Sequence, residues 1–244
     1  MRPRLFLTLL GIGLAAATPA LAQQLNLDLG EGASTTGRIV QLVLLMTVLS
    51  VAPSILMMVT SFTRIVVVLG FLRHALGTQT SPPNTVIVSL AMFLTAFVMA
   101  PTFEASYDQG IHPYMDNKID EVQAFDRTTK PLAVFMARQV RDQDLKLFLD
   151  LSRSPEIAKP EDAPLKALVP AFMISEMRRA FEMGFLIFLP FIIIDMVIAS
   201  VLMSMGMMML PPASISMPFK LIFFVLVDGW YLMAGSLVQS FGPT

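Results

Sequence analysis

Residues 189–212 read LPFIIIDMVIASVLMSMGMMMLPP, and residues 216–230 read SMPFKLIFFVLVDGW. Two apolar segments thus flank a methionine-rich break that ends in Pro211 and Pro212. The first segment carries Asp195; the second carries Lys220 and Asp228. An ionisable group at the centre of a membrane segment costs about 2.5–3.5 kcal/mol on insertion scales, so it reads as functional. The pattern predicts an apolar helical hairpin that lines or packs an assembled membrane pore. Met205, Met207, Met208 and Met209 are its candidate seal, because methionine is unbranched and repacks with little strain. The plainer alternative is that they only fill a helix–helix turn.

Composition supports a membrane setting. The 244 residues are 55% hydrophobic and only 14% charged, with a mean hydropathy of +0.69. An ordinary soluble domain is about 25% charged. Lipid or neighbouring chains must therefore cover part of this surface. The net charge of −1 leaves no electrostatic footprint for nucleic acid. Cysteine is absent and histidine occurs only at His74 and His112, which leaves no thiolate site and little material for catalysis or a metal. No catalytic, cofactor or metal residue is assigned.

Outward from the hairpin, the chain divides into six stretches. Residues 1–22 have a signal-peptide pattern: Arg2 and Arg4, an apolar run, then Ala20-Leu21-Ala22, with cleavage expected between Ala22 and Gln23. Residues 23–38 are a polar lead-in. Residues 39–103 form a first apolar hairpin, with one uncharged segment over 39–63 and a second over 85–102 that ends near Pro101. One long bent helix or two pieces cover 39–72, and Arg64 either snorkels to an interface or forms an ion pair. The turn at 77–84 contains Pro82 and Pro83, and Arg73 just before it places it in the cytoplasm by the positive-inside rule. Residues 104–182 hold most of the charge, with both signs interspersed, and form a polar helical module on the periplasmic side. Helices are expected over 130–152 and 165–181, with a proline-rich loop over 154–164 between them. Residues 183–238 form the second apolar hairpin, and 239–244 are a tail. The fold class is all-α: two apolar hairpins flanking a polar module.

Charged residues near the apolar segments are the remaining candidates: Glu176, Arg178, Arg179, Asp195, Lys220 and Asp228. In a plain hairpin folded about Leu210, Asp195 is level with residues 225–228, and Lys220 is displaced from it by one to two turns. Lys220 is then poorly placed to pair within its own hairpin. A buried charge needs a partner, so Lys220 is expected to pair across a subunit boundary, with Glu176 favoured over Asp195. Phe185, Phe188, Phe191, Phe219, Phe223 and Phe224 read as packing.

Four stretches together closely resemble the FliP/SctR family of export-gate subunits. They are the two quoted above, TSFTRIVVVLGFLRHALG at 60–77 with Pro82-Pro83-Asn84 after it, and PAFMISEMRRAF at 170–181. The likeness runs in order over nearly the whole mature chain, and the signal peptide and the wording SVLMSMGMMMLPP favour the flagellar branch over the injectisome one. The resemblance implies a ring of five copies with FliQ and FliR, assembled in the inner membrane at the flagellar basal body and passing unfolded flagellar proteins. It implies contact with other export-apparatus proteins, and that much of the assembly is lifted out of the bilayer plane. It also implies that the methionine turn is the gasket of the gate. A proton-coupled transporter would use the embedded Asp and Lys differently, but no inverted repeat is evident. An intramembrane hydrolase would need Asp195 and Asp228 to face each other. No phosphate-binding loop motif is present, so an ATP requirement would fall to partners.

Overall fold

The computed structural model describes residues 35–154, 157–207 and 210–242. The signal-peptide segment with its Ala22–Gln23 junction, Met208, Met209 and the last two residues lie outside the described residues. Among the described residues every regular element is helical and there is no strand, as the hydropathy pattern requires.

The chain forms two compact units, residues 1–50 and 51–244. In the first unit the described residues belong to α1, Thr35–Met58, which runs on past the boundary and contains Pro53. Its window Ile39–Met58 is long and apolar enough to cross a membrane, and none of it is buried.

Within the second unit the helix breaks at residues 59–61, so 39–72 is covered by two pieces and not by one bent helix. α2 (Phe62–Ala75) and α3 (Asn84–Ser106) follow, joined by the proline turn. The helix does not stop at Pro101. It passes through that residue, takes a π-helical turn at Tyr107–Ile111 and continues as α4, His112–Met115. A proline inside a helix costs one hydrogen bond, and a π-turn is a common way to re-phase the ladder nearby. α5 (Glu121–Gln139) is capped by Asp120, whose carboxylate accepts from the Gln123 amide at 2.8 Å.

The expected helix over 130–152 is two helices. Val140 adopts an extended conformation and α6 runs over Asp142–Leu151. After a 3₁₀ turn at Pro160–Asp162, α7 spans Leu165–Ser204 without interruption. Forty residues at about 1.5 Å each give roughly 60 Å, twice the hydrocarbon thickness of about 30 Å. One helix therefore serves both the charged module and the apolar hairpin. α8 (Pro212–Leu226) and α9 (Gly229–Gln239) are bent by 66° about Val227 and Asp228. A single second arm over 215–236 is what the apolar run suggests, but Asp228 takes the left-handed conformation, φ 52°, and breaks it.

α2 lies at the centre of this unit. Ile65, Val68 and Leu69 pack with Ile87, Ala91, Leu94 and Val98 of α3, with Ala180 of α7 and with Leu237 near the C-terminal end. A separate core joins α5, α6 and the start of α7 through Met136, Leu145, Leu168 and Phe172. Among the described residues three helices are long and apolar enough to cross a membrane, or four if α8 and α9 count as one bent span.

Candidate functional site

Three polar clusters on α7 organise this unit. Glu176 lies eleven residues into the helix, and Asp195 lies nineteen further on. At about 1.5 Å per residue they are roughly 28 Å apart along one axis.

The first cluster is centred on Arg64, in the first turn of α2. Arg64 is 1% exposed and Glu176 is fully buried. Arg64 Nε donates to Glu176 Oε2 at 2.8 Å, and Nη2 donates to Oε1, so the guanidinium fork meets the carboxylate on two prongs. Nη1 donates to the carbonyl and the hydroxyl of Ser240, both at 3.0 Å, and Nη2 also reaches Gln139 Oε1 at 3.0 Å. The guanidinium lies 3.8 Å over the Phe241 ring. Gln139 returns the contact, its Nε2 donating to the Phe241 carbonyl at 3.0 Å while its Oε1 also accepts from Arg179. Arginine suits this position because its planar donors satisfy a carboxylate, an amide and a carbonyl at once, which an ammonium does not. Arg64 thus forms an ion pair and does not snorkel. Glu176, expected to wait for Lys220 of a sister chain, is already paired inside its own chain.

The second cluster closes the α5–α6 break. The Arg141 amide donates to Ser175 Oγ at 3.1 Å, and Ser175 Oγ donates to Asp144 Oδ2 at 2.6 Å. Arg141 also forks onto both Asp144 oxygens at 2.8 Å. Burial alone would push the Asp144 carboxyl up. The Ser175 and Arg141 hydrogen bonds and the Arg141 charge together outweigh it and hold the carboxyl below its ordinary range.

The third cluster is in the apolar hairpin. Lys220 Nζ donates to Asp195 Oδ2 at 2.7 Å, and Ser216 Oγ donates to Oδ1 at 2.5 Å. This corrects the expected register, and the reason lies in the turn. Gly206, with φ +75°, ends α7 in a Schellman motif: the Gly206 amide donates to the Met203 carbonyl, and the Met207 amide to that of Leu202. The helix therefore stops at Ser204, six residues before the assumed fold point at Leu210, and α8 starts only at Pro212. Asp195 is nine residues short of the end of α7 and Lys220 eight residues past the start of α8, so the two are level. The need for a partner was legible; its identity depended on where the helix ends.

The pair is unequally buried, with the Lys220 side chain 7% exposed and that of Asp195 39%. The two single truncations should therefore differ. Asp195→Ala strands a buried ammonium and should cost about 3–5 kcal/mol. Lys220→Ala leaves a carboxylate that is only partly buried and keeps its serine, so about 1–2 kcal/mol is expected. Thermal unfolding of the two purified variants measures the difference, and equal losses would contradict it.

Asp228 is exposed and sits at the α8–α9 bend, eight residues beyond Lys220 or about 12 Å along a helix. Asp195 contacts Ser216 and Lys220, so the two aspartates are not brought together as a hydrolase requires. Among the described residues no group of His, Asp or Glu could hold a metal ion. In the turn, Met205 and Met207 are exposed. The candidate aromatics divide: Phe191 packs edge-on against Phe223 and beside Phe224, and Phe188 against Phe71, whereas Phe185 and Phe219 face outward.

The FliP family model matches residues 45–237, which include the second and third clusters, the turn, and the Arg64, Glu176 and Gln139 of the first cluster. The chain belongs to the FliP family. It is similar to the flagellar biosynthetic protein FliP of Caulobacter vibrioides, at 63% identity over 223 residues, covering 91% of this chain and 84% of that protein. It is 54% identical to the Bacillus subtilis protein of that name over 211 residues, covering 86% and 94%. It is 49% identical to the Pectobacterium carotovorum one over 236 residues, covering 95% and 92%. FliP-family membership and the long apolar helices make this a membrane-embedded component of flagellar export. Four polar partners, Gln139, Ser216, Ser240 and the Ser175 hydroxyl, escaped sequence reasoning. Only Ser216 carried a local signal, standing one helical turn before Lys220.

Proposed function

We propose that this chain is a structural, non-enzymatic subunit of the flagellar type III protein-export gate. Five copies, joined by FliQ and FliR, wall the passage that unfolded flagellar proteins take across the inner membrane. Membership of the FliP family over residues 45–237 carries this reading. The relatives described above bear a flagellar name, which favours the flagellar branch over an injectisome. With residues 1–22 removed at Ala22 and Gln23 and the turn at 77–84 in the cytoplasm, the charged module over 104–182 lies on the periplasmic side. Apolar surface is plentiful: none of the Ile39–Met58 window is buried, and Phe93, Phe97, Val225 and Leu226 are all exposed. Sister chains and lipid share the task of covering it.

Met205, Met207, Met208 and Met209 form the seal. Pliable thioether side chains from several copies close around a threaded polypeptide and exclude ions when it is absent. Replacing Met207, Met208 and Met209 together by Ala should leave assembly intact, seen as an unchanged native mass of the purified complex. The cells should nevertheless leak small ions. Intact assemblies with wild-type permeability would refute the seal, and a solitary monomer in place of a ring would refute the gate itself.

A further inference from the structure

A cleft of about 360 Å³ opens between α3 and α5. One wall is apolar, with Val98, Pro101 and Ala105 from α3 facing Phe135 of α5 and Phe241. The other carries Lys130, Val134 and Arg138, which follow one another at four-residue spacing on one face of α5. Lys130 and Arg138 are both exposed, and no acidic residue lines the cleft. Neither cation forms an ion pair among the described residues, although Arg64, Arg141, Arg178 and Lys220 all do.

A second, wider groove borders the first. Phe97 and Ser240 line it, and their sequence neighbours Val98 and Phe241 line the cationic cleft. Its walls include Phe93, Leu94, Leu232 and Val238, and no charged residue contributes. α3 is among the helices long and apolar enough to cross a membrane. The surface therefore offers, in sequence, two unpaired cations over a half-polar cleft and an uncharged groove leading along a membrane helix.

We propose that this surface binds one anionic phospholipid. The phosphodiester lies between Lys130 and Arg138, and an acyl chain follows α3 into the apolar groove. Two cations eight residues apart, about 12 Å along the helix, bracket a headgroup from both sides with flexible side chains. A soluble anion would use the cations and leave the groove empty; an uncharged lipid would use the groove and leave the cations unpaired. An anionic amphiphile satisfies both. Because Gln139 and Phe241 form the floor of the cleft and also hold Arg64, the lipid rests directly on the buried ion-pair cluster. The inference rests on the membrane setting of α3 and not on the export role.

The test is native mass spectrometry of the full chain, delipidated in detergent and titrated with phosphatidylglycerol, phosphatidylcholine or glycerol phosphate. Phosphatidylglycerol should bind about tenfold more tightly than phosphatidylcholine. Lys130→Gln with Arg138→Gln should remove that preference without changing the thermal unfolding temperature, since both side chains are exposed. Ala105→Leu, which narrows the cleft, should weaken phosphatidylglycerol binding with the cations still present. Equal binding of the two lipids, or an unaffected double variant, would overturn the proposal. So would glycerol phosphate displacing the lipid at equal concentration, which would mark a headgroup-only anion site. Cross-links from position 138 to a second copy that persist after delipidation would overturn it too, by assigning the surface to a sister chain.

Discussion

Arg64→Leu should lower the stability of the chain by about 3–5 kcal/mol, as large a loss as any single polar residue described above should give. The substitution leaves the Glu176 carboxylate fully buried with its two charge-assisted hydrogen bonds gone. It also frees the Ser240 carbonyl and one prong of Gln139, so three elements lose a common partner. The double variant Arg64→Leu with Glu176→Leu tests the cause. Replacing both charges with apolar side chains of fitting volume removes the stranded carboxylate, and buried pairs exchanged in this way are often neutral or better. The double variant should therefore unfold at a higher temperature than Arg64→Leu alone. If the two losses simply add, the penalty lies in packing and the ion pair is not its source. Arg64→Lys should not rescue, because an ammonium has no planar fork to span Glu176, Gln139 and Ser240 together.

Gly110→Ala should also destabilise the chain, for a steric reason. A Cβ at this position would lie 2.0 Å from Thr128 Oγ1, 2.7 Å from the Thr128 amide nitrogen and 2.9 Å from the α-carbon of the same residue. Gly110 belongs to the π-helical turn Tyr107–Ile111 and packs directly on the backbone of α5. A side-chain tip can rotate away, but the backbone of a helix moves only if the whole element shifts. Overpacking of this kind costs about 1–3 kcal/mol. Thr128→Ala added to Gly110→Ala should relieve part of the loss, by removing the hydroxyl. The rest should stay, because the backbone of residue 128 still obstructs the new methyl group. Thermal unfolding of the single and double variants reads this directly. Full recovery would mean that the hydroxyl alone sets the approach, and no loss at all would mean that the π-helical turn and α5 slide apart freely.

These two sites show what a sequence discloses and what it withholds. The apolar runs over 39–63, 85–102 and 183–204 announce helices long enough for a membrane; the last two are unbroken helix here, and the first is helical as far as Met58. The embedded charges announce a need for partners. What they do not announce is distance along the chain: Gln139 is 75 residues from Arg64, and Ser240 is 176 away. Helix ends were the weaker part. Prolines 101, 131, 170, 190 and 218 all lie inside helices, so proline alone is a poor stop signal where tertiary contacts take over the lost hydrogen bond. Val140, by contrast, is an ordinary residue at a real break, because a hydroxyl from a distant helix, that of Ser175, accepts from the amide that follows. Gly206 was readable as a helix terminator, and the run over 183–204 ends where α7 does. The fold point assumed at Leu210, rather than the helix end, is what put Lys220 out of level with its actual partner.

Pro190 interrupts the ladder of α7 between Glu176 and Asp195. It has no amide hydrogen to give to the carbonyl of Leu186, so the rod is most compliant there. The upper arm is bolted through Arg64 and Ser175; the lower arm ends at the methionine turn. A sideways push delivered at the turn should therefore be taken up first as flexure at this joint, before it reaches the bolted end.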